Sequence, residues 1–142
     1  MDFITERIAI GDGVEAEDEE LLIRLGITHV LNVHPMDMDY TKVKYAKIPW
    51  HDEGNFERLD EALEFMDEAI KSNGKVMVIC GAGIERSPLT VFAYLHIKCD
   101  LDIWDALNKV KSKRTQCAIH LEWLKGWDNI APEDSNMYRR HF

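Results

Sequence analysis

The nine residues Cys80-Gly81-Ala82-Gly83-Ile84-Glu85-Arg86-Ser87-Pro88 join a short apolar run to a longer one. Before them, Val76-Met77-Val78-Ile79, entered through Asn73-Gly74, reads as a buried strand. After them, Leu89 through Ile97 is long and apolar enough for a buried helix. Ser87 suits the N-cap of that helix and Pro88 its first position, where a missing N–H is harmless. A strand–loop–helix turn aims successive backbone N–H groups and the positive end of the helix dipole into one concavity, which suits an oxyanion. Gly81 and Gly83 allow the tight curl, and Arg86 offers a planar fork that matches two oxygens of a phosphate. Gly81, Ala82, Gly83, Ile84, Glu85 and Arg86 are therefore the expected phosphate-binding residues. The same field stabilises a thiolate, which makes Cys80 the candidate nucleophile. The plainer alternative is a structural cysteine buried at a strand end.

The chain has 142 residues, 46% of them hydrophobic, enough for one domain with one core. No apolar run approaches the ~20 residues that span a membrane, and the opening Met1-Asp2-Phe3-Ile4-Thr5-Glu6 does not read as a signal peptide. Three cysteines without close pairing argue against a disulfide framework and against a zinc site, and fit a reducing, cytoplasmic setting. The net charge of −9 disfavours nucleic acid and anionic membranes as partners. An acidic chain that binds phosphate does so in a local pocket. Glu85 inside that pocket's loop repels highly charged substrates and points to a single phosphomonoester.

Along the chain, Arg7-Ile8-Ala9-Ile10-Gly11 reads as a short edge strand. Residues 15–25 read as a helix with Leu21, Leu22 and Leu25 on one face, closed by Gly26. Thr28 to Val33 and Val43 to Ile48 read as strands, with 34–42 a loop between them. Leu59, Ala62, Leu63, Met66 and Ile70 recur at helical spacing up to a stop at Gly74. Ile103, Trp104, Leu107 and Val110 mark another helix; Ile119, Trp123, Trp127 and Ile130 mark a last one, with its tryptophans in the core. Residues 1–130 form the expected domain and 131–142 a polar tail. Strands alternating with helices predict an α/β fold, a mostly parallel sheet flanked by helices on both faces. Ligands of such sheets lie at the carboxyl ends of the strands, where Cys80 falls.

Cys-x5-Arg-Ser with glycine three after the cysteine resembles the loop of the cysteine-dependent protein tyrosine phosphatases. The continuation Gly83-Ile84-Glu85-Arg86-Ser87-Pro88-Leu89-Thr90-Val91-Phe92-Ala93-Tyr94-Leu95 is most similar to the small dual-specificity branch. The opening Ile10-Gly11-Asp12 and Leu25-Gly26-Ile27-Thr28-His29-Val30-Leu31-Asn32 is similar to the start of many such domains. Neither other cysteine carries the pattern: six residues after Cys99 stands Asp105, and six after Cys117 stands Trp123.

The resemblance implies a phosphomonoester hydrolase, a dual-specificity protein phosphatase, working through a cysteinyl-phosphate with no metal or cofactor. Its substrate would be a phosphorylated protein or a small phosphomonoester. It implies an aspartate that protonates the departing oxygen, and the family's spacing points to Asp52, 28 positions before the cysteine. His51 and Glu53 are neighbouring candidates, Asp37 and Asp39 distant ones; all could instead be solvated loop residues. By the same resemblance Ser87 hydrogen-bonds the cysteine sulfur and helps it leave.

One position departs from the family: Ile79 stands where a histidine usually precedes the nucleophile. That implies a thiolate less well stabilised than in a typical member, and keeps open a phosphate-binding pseudophosphatase that recognises phosphorylated partners. A rhodanese-type sulfur transferase is a third reading, which the loop length and the Arg86-Ser87 exit disfavour. Cys99 and Cys117 read as buried structural thiols, and His29, His96 and His120 as structural residues of strands or helices.

Overall fold

The computed structural model describes residues 1–50 and 56–130. Every side chain of the central strand β5 (Val76–Cys80) is buried. Alternation sends them to two places: Val76, Val78 and Cys80 join the larger core, and Met77 and Ile79 a smaller one on the opposite face. A strand covered on both faces reads as the continuous apolar run seen in the sequence.

Around β5 the sheet runs in the order β1-β2-β5-β3-β4. Strands β2 (Ile8–Asp12), β3 (His29–Asn32) and β4 (Lys44–Lys47) lie parallel with β5, as expected. The 7–11 stretch is not an edge, however. Asp2–Phe3 forms a short β1 antiparallel to β2 and takes the outer position, because the Ile4 N–H bonds the Ile8 carbonyl at 2.8 Å and folds the first residues back.

The larger face carries α2 (Phe56–Lys71), α3 (Arg86–Ile97) and α4 (Ile103–Lys113). The smaller face carries a 3-10 turn (Glu15–Glu17) and α1 (Glu19–Arg24), which replace the single expected helix. Asp18 divides them because its carboxylate accepts the Leu21 N–H and so caps a new helix. Of the three leucines expected on one buried face only Leu22 is buried; Leu21 and Leu25 lie at the surface. Gly26 ends α1 at φ +84 as expected. Glu19 reaches from α1 to the backbone N–H groups of Val43, Lys42 and Thr41, fixing the entry to β4, and those bonds hold its carboxyl down to about 2.

Two helix ends differ from expectation. At the end of α2 it is Asn73, not Gly74, that takes the left-handed conformation (φ 64). The Gly74 N–H bonds the Ala69 carbonyl at 2.8 Å and the Asn73 N–H bonds Ile70 at 3.1 Å, a Schellman closure. At the start of α3, Glu85 holds the cap position without a side-chain bond, so Ser87 and Pro88 lie inside the first turn.

The expected last helix is only a 3-10 turn, Leu121–Leu124. Gly126 at φ +89 turns the chain, and the Trp127 indole is fixed by a 3.0 Å bond to Asp60 on α2. Ile119, Trp127 and Ile130 are core residues as expected, while Trp123 is partly buried and packs against the core from its margin. Among the described residues no helix is long and apolar enough to cross a membrane.

Candidate active site

Parallel pairing brings the carboxyl ends of β2, β3 and β5 to one edge of the sheet, and Cys80 is the last residue of β5. Its side chain is almost fully buried beneath the first turn of α3. There the Ser87 hydroxyl lies 3.2 Å from Sγ and the Ser87 N–H donates to Sγ at 3.4 Å. Moving Ser87 from the cap into the helix is what permits both contacts. They are the pair of donors a thiolate accepts.

The loop carbonyls are held outward by donors from distant segments. Gly81 accepts from the Gly13 N–H at 3.3 Å and Ile84 from the Ala118 N–H at 2.9 Å, while Gly83 accepts from Arg114 Nε at 2.6 Å. In a planar trans peptide the following N–H points opposite to the carbonyl. The N–H groups of Ala82, Ile84 and Glu85 are thereby turned inward, toward the space above Cys80. Of the loop glycines only Gly83 is left-handed, at φ +66. Gly81 is not, and a Cβ there would meet nothing nearer than His34 at 3.8 Å.

Arg114 went unrecognised in the sequence. It is nearly fully buried and forms a 2.7 Å ion pair with Asp2 of β1, tying the loop to the far edge of the sheet. Nothing in the polar run Lys111-Ser112-Lys113-Arg114 marks one of its cations for burial. Arg114→Lys keeps the charge beside Asp2 but lacks the fork that reaches Gly83. Calorimetric titration with orthovanadate should then show affinity about tenfold weaker, the scale of one lost charge-assisted hydrogen bond, and the melting temperature should fall by about 5 °C.

Arg86 leaves the loop at the start of α3. Its Nε donates to the Trp50 carbonyl at 3.3 Å, and its guanidinium lies 5.9 Å from the Trp123 ring centre. Trp50 is itself fully buried and anchored to Thr90 of α3 by a 2.9 Å indole hydrogen bond. His120 is not a structural residue of a helix: it stacks on Trp123 at 4.4 Å and reaches Glu85 Oε2 at 2.9 Å. The sequence hid this because Trp123 and His120 come from a segment whose spacing mimics a helix.

Asp52, His51 and Glu53 lie outside the described residues. Asp37 is highly exposed and paired with Lys47 at 2.6 Å, which holds its carboxyl below the ordinary range and unsuits it as a proton donor. Ile79 points to the α1 face, away from Cys80, and fills the smaller core. A residue at 79 therefore acts on the nucleophile through the backbone alone. Cys117 is buried as expected, but Cys99 is exposed at the far end of α3; partial burial pushes both thiols up.

A buried thiol beneath inward-turned N–H groups, with an arginine at the exit, has the form of a cysteine-dependent phosphatase loop. The family model for the dual specificity phosphatase catalytic domain matches residues 9–128. The chain is 33% identical over 128 residues to human dual specificity protein phosphatase 9, covering 85% of this chain and 33% of that one. It is 34% identical over 119 residues to Arabidopsis thaliana dual specificity protein phosphatase 1, covering 78% and 59%. The chain thus spans a third to some three-fifths of these two relatives' lengths. The crystal structure of human DUSP28 superposes with a TM-score of 0.80 at 22% identity over 99% of both chains, and DUSP15 with 0.78 at 22% identity over 99% and 95%. The chain belongs to the dual-specificity phosphatase family.

Proposed function

We propose that this chain hydrolyses phosphomonoesters, with phosphorylated proteins as its substrate class and tyrosine, serine and threonine phosphates as its targets. The observation that carries the reading is the convergence of the Ser87 hydroxyl and the Ser87 N–H on Cys80 Sγ under an outward-turned set of loop carbonyls. The thiolate attacks phosphorus in line, forming an S–P bond as the ester P–O bond breaks. Ala82, Ile84 and Glu85 N–H groups and the Arg86 fork hold the equatorial oxygens. Asp52 gives its proton to the leaving oxygen, and then takes one from water as the water oxygen displaces sulfur from phosphorus. Ser87 stabilises the departing thiolate. Arg86 is held in reach by Trp50 and flanked by Trp123. Gly81 and Gly83 complete the cradle, and Ile84 contributes its carbonyl as an anchor to Ala118.

The assignment of Asp52 is tested by comparing phenyl phosphate with p-nitrophenyl phosphate, for wild type and Asp52→Asn across pH. With the poor phenoxide leaving group kcat should fall by about 10²–10⁴ and the alkaline limb should flatten. The nitrophenyl ester, which needs less protonation, should lose less. An unchanged limb would move the role to His51 or Glu53. Absence of any turnover by wild type would sink the hydrolase reading itself.

A further inference from the structure

Glu85 stands in the loop yet its carboxylate takes no part in the two steps above. It faces His120 Nε2 at 2.9 Å, while Nδ1 of the same ring faces Glu122 Oε1 at 3.2 Å. The ring lies on Trp123 at a 17° interplanar angle, and Trp123 flanks Arg86. A line of side chains therefore runs from Arg86 outward along the mouth of the loop. Both of its acids are about half-exposed. Two cations of the adjoining segment point elsewhere: Lys111 to the Cys117 carbonyl and Arg114 inward to Gly83.

The sign of this rim does not depend on the imidazole. Two carboxylates and a protonated ring sum to one negative charge, and with a neutral ring to two. Arg86 and the loop amides meet the phosphoryl group itself, so the rim acts on whatever lies beside the phosphorylated residue. We infer that Glu85, His120 and Glu122 form a specificity-determining rim selecting phosphopeptides with lysine or arginine beside the phosphorylated residue, against acidic flanks or a second phosphate. The inference rests on the phosphatase reading above.

Binding to the Cys80→Ser protein tests it without requiring turnover. Two fluorescent phosphotyrosine peptides, identical except for flanking lysines or flanking glutamates, are titrated by anisotropy. At low ionic strength the lysine peptide should bind about five- to tenfold tighter, and the ratio should approach one near ~1 M salt, where screening acts over ~3 Å. The net charge of −9 favours a cationic peptide anywhere on the surface, so substitutions decide the question. Glu122→Gln should lower the ratio and Glu85→Gln/Glu122→Gln should bring it close to one. The control Glu17→Gln/Glu20→Gln, an equal charge change at exposed residues of the opposite face, should leave it near its starting value. Equal binding of both peptides, or an equal response to the control pair, overturns the inference alone. Failure of both peptides to bind overturns the phosphate-binding reading and the inference with it.

Discussion

Cys80→Ser should abolish hydrolysis of aryl phosphates, with kcat lower by at least about 10⁴-fold, while orthovanadate or phosphopeptide binding persists. The reason lies in how the loop is divided. In the proposed site, attraction for phosphate comes from backbone N–H groups and Arg86, none of which needs sulfur. Bond making needs an ionised nucleophile, and a serine hydroxyl in the same place stays protonated. Ser87 would still approach residue 80, since the smaller oxygen accepts the same donors now 3.2 and 3.4 Å from Sγ. Acid quenching of the wild-type reaction should trap phosphate on the peptide containing Cys80, and no adduct should form in the variant. A variant that keeps turnover would remove Cys80 as nucleophile; one that loses binding in parallel would mean that sulfur, not the backbone, organises the cradle.

Gly83→Ala should damage both stability and the site with a single methyl group. At φ +66 an L side chain is strained by about 1–2 kcal/mol. The new Cβ would also lie 2.6 Å from Arg114 Nη2, 2.8 Å from the Gly11 carbonyl oxygen and 2.9 Å from its carbon. Two of those atoms are backbone of an interior strand and have nowhere to go, which adds about 1–3 kcal/mol of overpacking. Relief can come only by rotating the 83–84 peptide, which breaks the Arg114 contact and turns the Ile84 N–H out of the cradle. Urea unfolding should therefore show a loss of about 2–5 kcal/mol, and orthovanadate titration a loss of affinity on the order of 100-fold. Gly81→Ala is the matched comparison: its φ is ordinary and its Cβ would touch only His34 at 3.8 Å. Equal damage from both substitutions would show that loop flexibility, not the Gly83 contact, governs the site.

Much of the fold was legible because its signals are local. The apolar run 76–79 gives a strand buried on both faces, and the spacing of Leu59, Leu63 and Met66 gives α2. Stretches misread were those where a local pattern met a competing local bond or a distant partner. Asp18 capped a new helix and split 15–25. Residues 119–130 kept their apolar spacing but were pinned to α2 by Trp127 and turned at Gly126. The Ser87 cap was misplaced because the same hydroxyl serves a helix end or a sulfur equally well, and only the approach of Cys80 decides which.

The sequence by itself determined the strand–loop–helix around Cys80, the arginine at its exit and the family, since these depend on residue type and spacing within a few positions; it offered Gly81 and Gly83 alike for the tight curl, and only Gly83 is left-handed. Only the tertiary structure decided which way the loop peptides face and what stands at the mouth of the pocket. Gly13, Arg114 and Ala118 deliver the donors that turn the carbonyls outward, and His120 and Trp123 reach Glu85 and Arg86 from beyond α4. A peptide plane rotates toward whichever hydrogen-bond partner the fold supplies, and those partners lie some 30 to 70 positions away along the chain.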